Sequence, residues 1–249
     1  MKDICAINFN IEEFNSSFNR NISNQDWQQD NSYWYNQVKD REIVSPELSF
    51  LPPLQRRRLG DSARLIFSAA WPLTNKEENL PVIYASSQSE NNRSFELFSD
   101  FLTQGTISPT SFSLSVHNAI VGQWTVMQNT TAESSAIATS KDNLEVALVE
   151  AYTMFQQGVT KVLIVLSETF LKEANYNSQP DLVFPPLDYA LALVVTPGNN
   201  YSLKLQAQIQ SPKVLVDNNL QFIKAHNLGL NHWTSPAQYG VWTWERKSN

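Results

Sequence analysis

Val162-Leu163-Ile164-Val165-Leu166 is an apolar run without polar alternation, and it follows closely on a segment of helical period. A strand that is apolar on both sides must be covered on both faces, the condition met by a sheet with helices above and below it. The preceding segment supplies one such helix. Leu144, Ala147, Leu148, Ala151, Met154 and Phe155 recur at three- and four-residue spacing and form one apolar stripe. Asp142 stands at its N-cap, Glu145 completes a capping-box-like pair, and Gly158 follows the last turn. The stretch from Ser108 to Glu168 therefore reads as helix, strand, tight turn, helix, strand, and the fold class is layered α/β.

Composition narrows the function classes. At 249 residues and 42% hydrophobic content the chain can bury a sizeable core, as one large domain or two modest ones. A net charge of -6 gives no general attraction to nucleic acid or to an anionic membrane. Arg56, Arg57 and Arg58 form the one basic cluster, readable as a solvated face or as a docking patch for an acidic partner. The single Cys5 excludes an intramolecular disulfide framework, which fits a reducing compartment. No run is long enough for a membrane span, and the opening MKDICAINFNIEEF lacks the order of a signal peptide, so the cytoplasm is expected.

In chain order, Ile4 to Ile11 alternates like a strand, and Asn15 to Gln37 is an Asn/Gln/Ser-rich excursion whose Trp27, Tyr33, Trp34 and Tyr35 point to an ordered segment packed by its aromatics, or to a partner surface, more than to a disordered linker. Pro52 and Pro53 open a helix on which Leu59, Ala63, Phe67 and Ala70 share a face. Val82 to Ser87 reads as a strand and Phe95 to Leu102 as a helix. Val116, Ala119, Ile120, Trp124 and Met127 give a further helical face, and Ala136 to Thr139 is a short strand before the turn. Tyr189 to Val195 is another buried strand, joined as a hairpin through Thr196-Pro197-Gly198-Asn199-Asn200 to Tyr201 to Ile209. The tail from Leu220 mixes Trp, Asn and Gly and shows no assignable period.

A strand turning sharply into a helix is a good place for a nucleophile, because the helix N-terminus stabilises developing negative charge. Here that turn is Thr139-Ser140-Lys141-Asp142. Ser140 would need a base, and the histidines are His117, His226 and His232, none tied to it by spacing. G-x-S-x-G, Walker, G-x-G-x-x-G and H-E-x-x-H motifs are absent, and seven glycines support no phosphate-cradling loop. Asp188, Asp181 and Glu168 lack metal-ligand spacing, so neither a metal nor a cofactor is expected.

Ser108 to Trp124, SPTSFSLSVHNAIVGQW, followed by SSAIAT, the turn, the helix Asp142 to Gln157 and GVTKVLIVLSE, resembles the N-terminal half of β-ketoacyl-acyl carrier protein synthases of the thiolase fold. It is closer still to the short ketosynthase-like subunits of aryl polyene gene clusters, and the broader match runs from about Leu51 to Ile209. The resemblance implies one thiolase-like domain over 1–249, a layered mixed sheet with helices on both faces. Its core would span about 51–210, with an insertion at about 15–37 and an irregular tail at about 211–249.

The family nucleophile is a cysteine at the strand-to-helix turn, a position that falls on Lys141 or Ser140, and neither can form a thiolate. Cys5 lies on the first strand. The two family histidines belong to a second half whose motifs this sequence lacks. The resemblance therefore implies a chain length factor: a subunit that pairs with a catalytic ketosynthase, shapes its acyl tunnel and works on acyl chains borne by an acyl carrier protein. By position, Ser111 and Phe112 would approach the partner's tunnel, and Val116, His117, Ile120 and Trp124 would form the contact. Half a thiolase fold should also leave apolar surface uncovered. Two other readings stay open: a Ser140-dependent thioester hydrolase or priming decarboxylase, and a carrier-protein docking module using Arg56 to Arg58.

Overall fold

The computed structural model describes residues 3–74, 79–139, 141–170, 187–207, 217–237 and 240–247. In chain order these form β1 (Asp3–Phe18), α1 (Asn31–Tyr33), α2 (Pro53–Arg56), α3 (Asp61–Ala70), β2 (Val82–Ala85), α4 (Asn91–Gln104), α5 (Pro109–Ser113) and α6 (Ala119–Gln128). There follow β3 (Ser134–Ile137), α7 (Asn143–Gln156), β4 (Val162–Glu168), β5 (Tyr189–Pro197), β6 (Tyr201–Ala207), α8 (Asn218–Asn227), β7 (His232–Ala237) and β8 (Gly240–Arg246). The strands make one mixed sheet in the order β3-β2-β4-β5-β1-β6-β8-β7. β2 runs parallel to β3 and β4, and the remaining neighbours are antiparallel.

Every residue of β2 and β4 is buried, as the unalternating apolar run requires. Odd and even positions feed different cores. Val162, Ile164 and Leu166 face α7 and α8, together with Leu144, Ala147, Leu148, Ala151 and Met154 from the α7 stripe. Leu163 and Val165 face α3 and α6, where they meet Ala63, Phe67, Ile120 and Trp124. The expected α3 face holds, but the helix does not run through from Pro53. α2 ends at Arg56 and α3 begins at Asp61, with extended backbone at Gly60 between them.

Three expectations are corrected. β5 and β6 are not a hairpin: β1 lies between them, and Phe9 pairs with Pro197 on one side and Tyr201 on the other. The connection crosses the edge of β1 at close range. Asn200 N–H donates to Asn10 Oδ1 at 3.0 Å, and a Cβ on Gly198 would stand 2.0 Å from that oxygen. Turn residues specify a chain reversal, but they do not reveal that a strand from the other end of the chain fills the gap.

β1 continues to Phe18, past a bulge at Ile11/Glu13, so Asn15 to Phe18 belong to the sheet and the excursion starts after them. That excursion is ordered as its aromatics indicate. Trp27, Trp34 and Val38 are buried, and Arg41 clamps Asp26 at 2.8 Å beside the Tyr33 hydroxyl.

The tail is not irregular. Asp217 caps α8 by accepting from Leu220 N–H at 3.0 Å, and β7 and β8 extend the sheet with Trp233, Trp242 and Trp244 turned inward. The central helix α7 is therefore covered by the chain's own C-terminal segment.

Candidate functional site

The turn between β3 and α7 is built from its helix inward. Asn143, the first residue of α7, accepts from Thr139 N–H at 2.9 Å and from Thr139 Oγ1 at 3.1 Å. Its own amide donates to Glu168 Oε1 at 3.1 Å, at the end of β4. Glu168 also accepts from the backbone N–H groups of Ser87 at 2.8 Å and Gln88 at 3.0 Å, in the loop after β2. One carboxylate thus ties together the C-terminal ends of β2 and β4 and the start of α7.

A second carboxylate lies two residues further along α7. Glu145 is fully buried and accepts from Ser235 Oγ at 2.5 Å, Trp244 Nε1 at 3.3 Å and Asn218 Nδ2 at 3.4 Å. Beside it Trp242 Nε1 donates to Asp142 Oδ2 at 3.0 Å. A third carboxylate, Asp217, takes the Tyr189 hydroxyl at 2.8 Å, and Asn219 donates to that same hydroxyl oxygen at 3.0 Å. Burial pushes the carboxyls of Glu145 and Glu168 up to about 7 against their hydrogen bonds, and it raises Asp217 as well.

This arrangement braces a turn. Lys141 is exposed, and Ser140 lies outside the described residues. Cys5 sits on β1, which β2, β4 and β5 separate from β3 in the sheet. His117 Nε2 meets the Ser86 carbonyl at 3.1 Å and its ring packs on Tyr84, while His226 stacks on Phe14 at 4.3 Å and His232 is exposed. Among the described residues these contacts place no histidine on the turn. No group of three or more His, Cys, Asp or Glu there converges as a metal set, and Asp181 lies outside the described residues.

The segment just upstream presents a different surface. Ser108 caps α5, with its side chain accepting from Ser111 N–H at 3.4 Å, and Pro109 takes the first helical position. Phe112 is 59% exposed, Val116 is 43% exposed and Val126 is 80% exposed. An open groove of about 750 Å³ runs between α5 and α6, lined by Leu114, Val116, Ala119, Gly122 and Val126, with Arg58 at its rim. Arg57 and Arg58 are exposed, whereas Arg56 is half-buried and its carbonyl accepts from Arg64 at 2.8 Å.

Three of the four expected contact residues point the other way. Ile120 and Trp124 are 1% and 3% exposed, and Trp124 packs edge-on against Phe67 at 5.1 Å and Trp71 at 6.0 Å. The helical period turns 120 and 124 toward α3 and 119, 122 and 126 toward solvent. His117, half-buried on Tyr84, also faces inward. The sequence reading missed the outer face of α4, where Phe95, Phe98, Phe101 and Leu102 are all exposed. The signal was their three- and four-residue spacing, read there as a helix without a stated partner.

Residues 24–245 match the model of the β-ketoacyl synthase N-terminal domain. The chain belongs to that family. Among solved structures, this ketosynthase-family chain is similar to a chain of the ketosynthase ApeO in complex with its chain length factor ApeC from Xenorhabdus doucetiae. That match has 24% identity and a TM-score of 0.80, and covers 96% of this chain and 100% of the other. It is also similar to the ishigamide ketosynthase/chain length factor, at 11% identity and a TM-score of 0.58, over 80% of this chain and 67% of that one. A third likeness, at 12% identity and a TM-score of 0.51, is to the type II polyketide synthase complex AntDE:AntF, over 79% and 63% of the two chains. No curated protein matches. The fold is that of thiolase-type ketosynthases, related to those of ketosynthase and chain length factor complexes.

Proposed function

We propose that this chain is a non-catalytic ketosynthase-like subunit, a chain length factor. It pairs with a catalytic β-ketoacyl-acyl carrier protein synthase and shapes its acyl tunnel in aryl polyene or polyketide-type biosynthesis. The observation that carries the reading is a contrast within one stretch. The turn after β3 presents Lys141 and a closed set of buried acceptors, whereas the segment from α5 to α6 just before it exposes Phe112 and, along a groove, Val116 and Val126. Apolar side chains held outward on helices favour a permanent partner. The match over nearly the whole of both chains to a member of a ketosynthase and chain length factor complex supports the same reading.

In this account the partner covers the groove side of α6, Ser111 and Phe112 border the tunnel, and Phe112 limits its depth by bulk. Val116 belongs to the contact; Ile120, Trp124 and His117 support it from within. Arg58, at the groove, and its exposed neighbour Arg57 are the carrier-protein side of the assembly, where exposed guanidinium groups suit acidic surfaces. The test is co-expression with a cysteine-containing ketosynthase, reading complex formation and product length for the wild type and for Phe112→Ala. A stable complex and longer products support the function; a monomer indifferent to the ketosynthase rejects it.

A further inference from the structure

A small polar cavity of about 160 Å³ lies apart from the groove, between the starts of α3 and α4 and beside Thr169, just past the end of β4. Its wall is rich in oxygen: the hydroxyls of Ser62, Ser89 and Thr169, and the carboxylates of Glu90, Asp61 and Glu96. None of these residues has a part in the function proposed above.

Glu90 is the informative member. It is only 6% exposed, and Arg93 Nε donates to its Oε2 at 2.9 Å, yet its buried Oε1 has no hydrogen-bond partner. A carboxylate oxygen removed from water and left unmatched is costly, and native structures supply such a group with a partner. Gly60 allows the arrangement, since a Cβ there would stand 2.6 Å from Glu90 Oε2 and 3.1 Å from Oε1. Burial holds the Glu90 carboxyl above its ordinary range; Arg93 favours its ionised form, and the Asp61 and Glu96 carboxylates oppose it.

We propose that this cavity binds a compact monovalent cation, an alkali ion or a primary ammonium group, through Glu90 Oε1 and the neighbouring Ser62, Ser89 and Thr169 oxygens. Hard oxygen donors of this kind suit alkali cations and ammonium, not soft metals. A single charge fits better than a double one. Of the three carboxylates at the cavity only Glu90 is buried, while Asp61 and Glu96 stand exposed at the rim. Arg93 already satisfies Oε2, so a cation at Oε1 completes the carboxylate without displacing the ion pair.

The test is thermal unfolding of the full chain, alone or in its purified complex, at constant ionic strength in choline, sodium, potassium or methylammonium chloride. Choline is the reference, because its bulky head carries no N–H. At twenty times the dissociation constant, a cation that fits raises the folded-to-unfolded ratio about 21-fold and the melting temperature by several degrees. A response to sodium or potassium identifies an alkali site, and a response to methylammonium alone identifies an ammonium site. Glu90→Gln loses the increment, Asp61→Asn and Glu96→Gln weaken it, and Glu133→Gln, at an exposed position before β3, leaves it unchanged. Equal melting temperatures in all four salts, or a full increment in Glu90→Gln, overturn the proposal. If Glu90→Gln does not fold, a full increment in both rim variants overturns it.

Discussion

Trp244 donates its indole N–H to Glu145 Oε1 at 3.3 Å, joining the last strand of the sheet to the central helix. Ser235 and Asn218 reach the same carboxylate from β7 and α8, so three C-terminal elements converge on one side chain of α7. The described C-terminal segment thereby closes over α7. The exposed apolar side chains Phe95, Phe98, Phe101, Phe112 and Val126 lie instead on α4, α5 and α6.

That convergence predicts an unusual pH dependence. The carboxyls of Glu145 and Glu168 sit at about 7, above their ordinary 4.5, because burial outweighs the hydrogen bonds they accept. The folded protein then holds protons that the unfolded chain has released. The stability this contributes is full below pH 4.5 and is lost as the pH rises through about 7. The melting temperature should fall between pH 5 and pH 8. Glu145→Gln should flatten that slope and be more stable than wild type at pH 8 by roughly 3 kcal/mol, the equivalent of its shift. Asp26, held low by Arg41, acts in the opposite sense, in the acid range below its ordinary 3.8. A pH series of melts decides the matter, and a wild-type curve that rises from pH 5 to pH 8 contradicts it.

Asn143 joins Thr139 to Glu168, so Asn143→Ala removes one donor from a buried carboxylate and frees the turn after β3. The expected loss is about 1–3 kcal/mol in urea unfolding, and faster amide exchange at Thr139 should accompany it. Unchanged stability would mean that the bridge contributes little.

Trp124 and Val126 separate core from surface within two residues. Trp124→Ala should cost about 3–5 kcal/mol of stability, because it empties a site enclosed by Phe67 and Trp71. Val126→Glu, at an exposed position, should shift stability by no more than about 0.5 kcal/mol. It should nevertheless abolish co-purification with the ketosynthase. Retained binding by Val126→Glu would remove the groove side of α6 from the interface.

Charge reversal at Arg57 and Arg58 should weaken carrier-protein binding and flatten its salt dependence while leaving the ketosynthase pairing intact. Titration of the purified complex with carrier protein at two ionic strengths measures this. Equal affinity in wild type and variant would show that the carrier docks elsewhere.

The sequence carried most of the fold where one side chain's environment repeats along an element. The β4 run and the α7 stripe each named their own burial, and Ala63, Phe67 and Ala70 named the inner face of α3. It carried less where partners are distant in the chain. Nothing near Gly198 shows that β1 enters between β5 and β6, since that contact depends on Asn10. The inward alternation of Trp242 and Trp244 was present in the tail, but their partners Asp142 and Glu145 lie a hundred residues away.

That the turn Thr139 to Asp142 holds no cysteine was legible, because residue identity alone decides that. Which face of α6 is outward was not legible. Ile120 and Trp124 share their spacing with the exposed positions closely enough that only packing against α3 separates them.

The most direct test of the central claim is size-exclusion chromatography with light scattering on this chain co-expressed with a cysteine-containing ketosynthase. The account predicts a stable complex of the two chains that survives purification, is lost with Val126→Glu and is retained by Lys141→Ala. A ketosynthase that elutes without this chain, while the chain itself remains a soluble monomer, would contradict it.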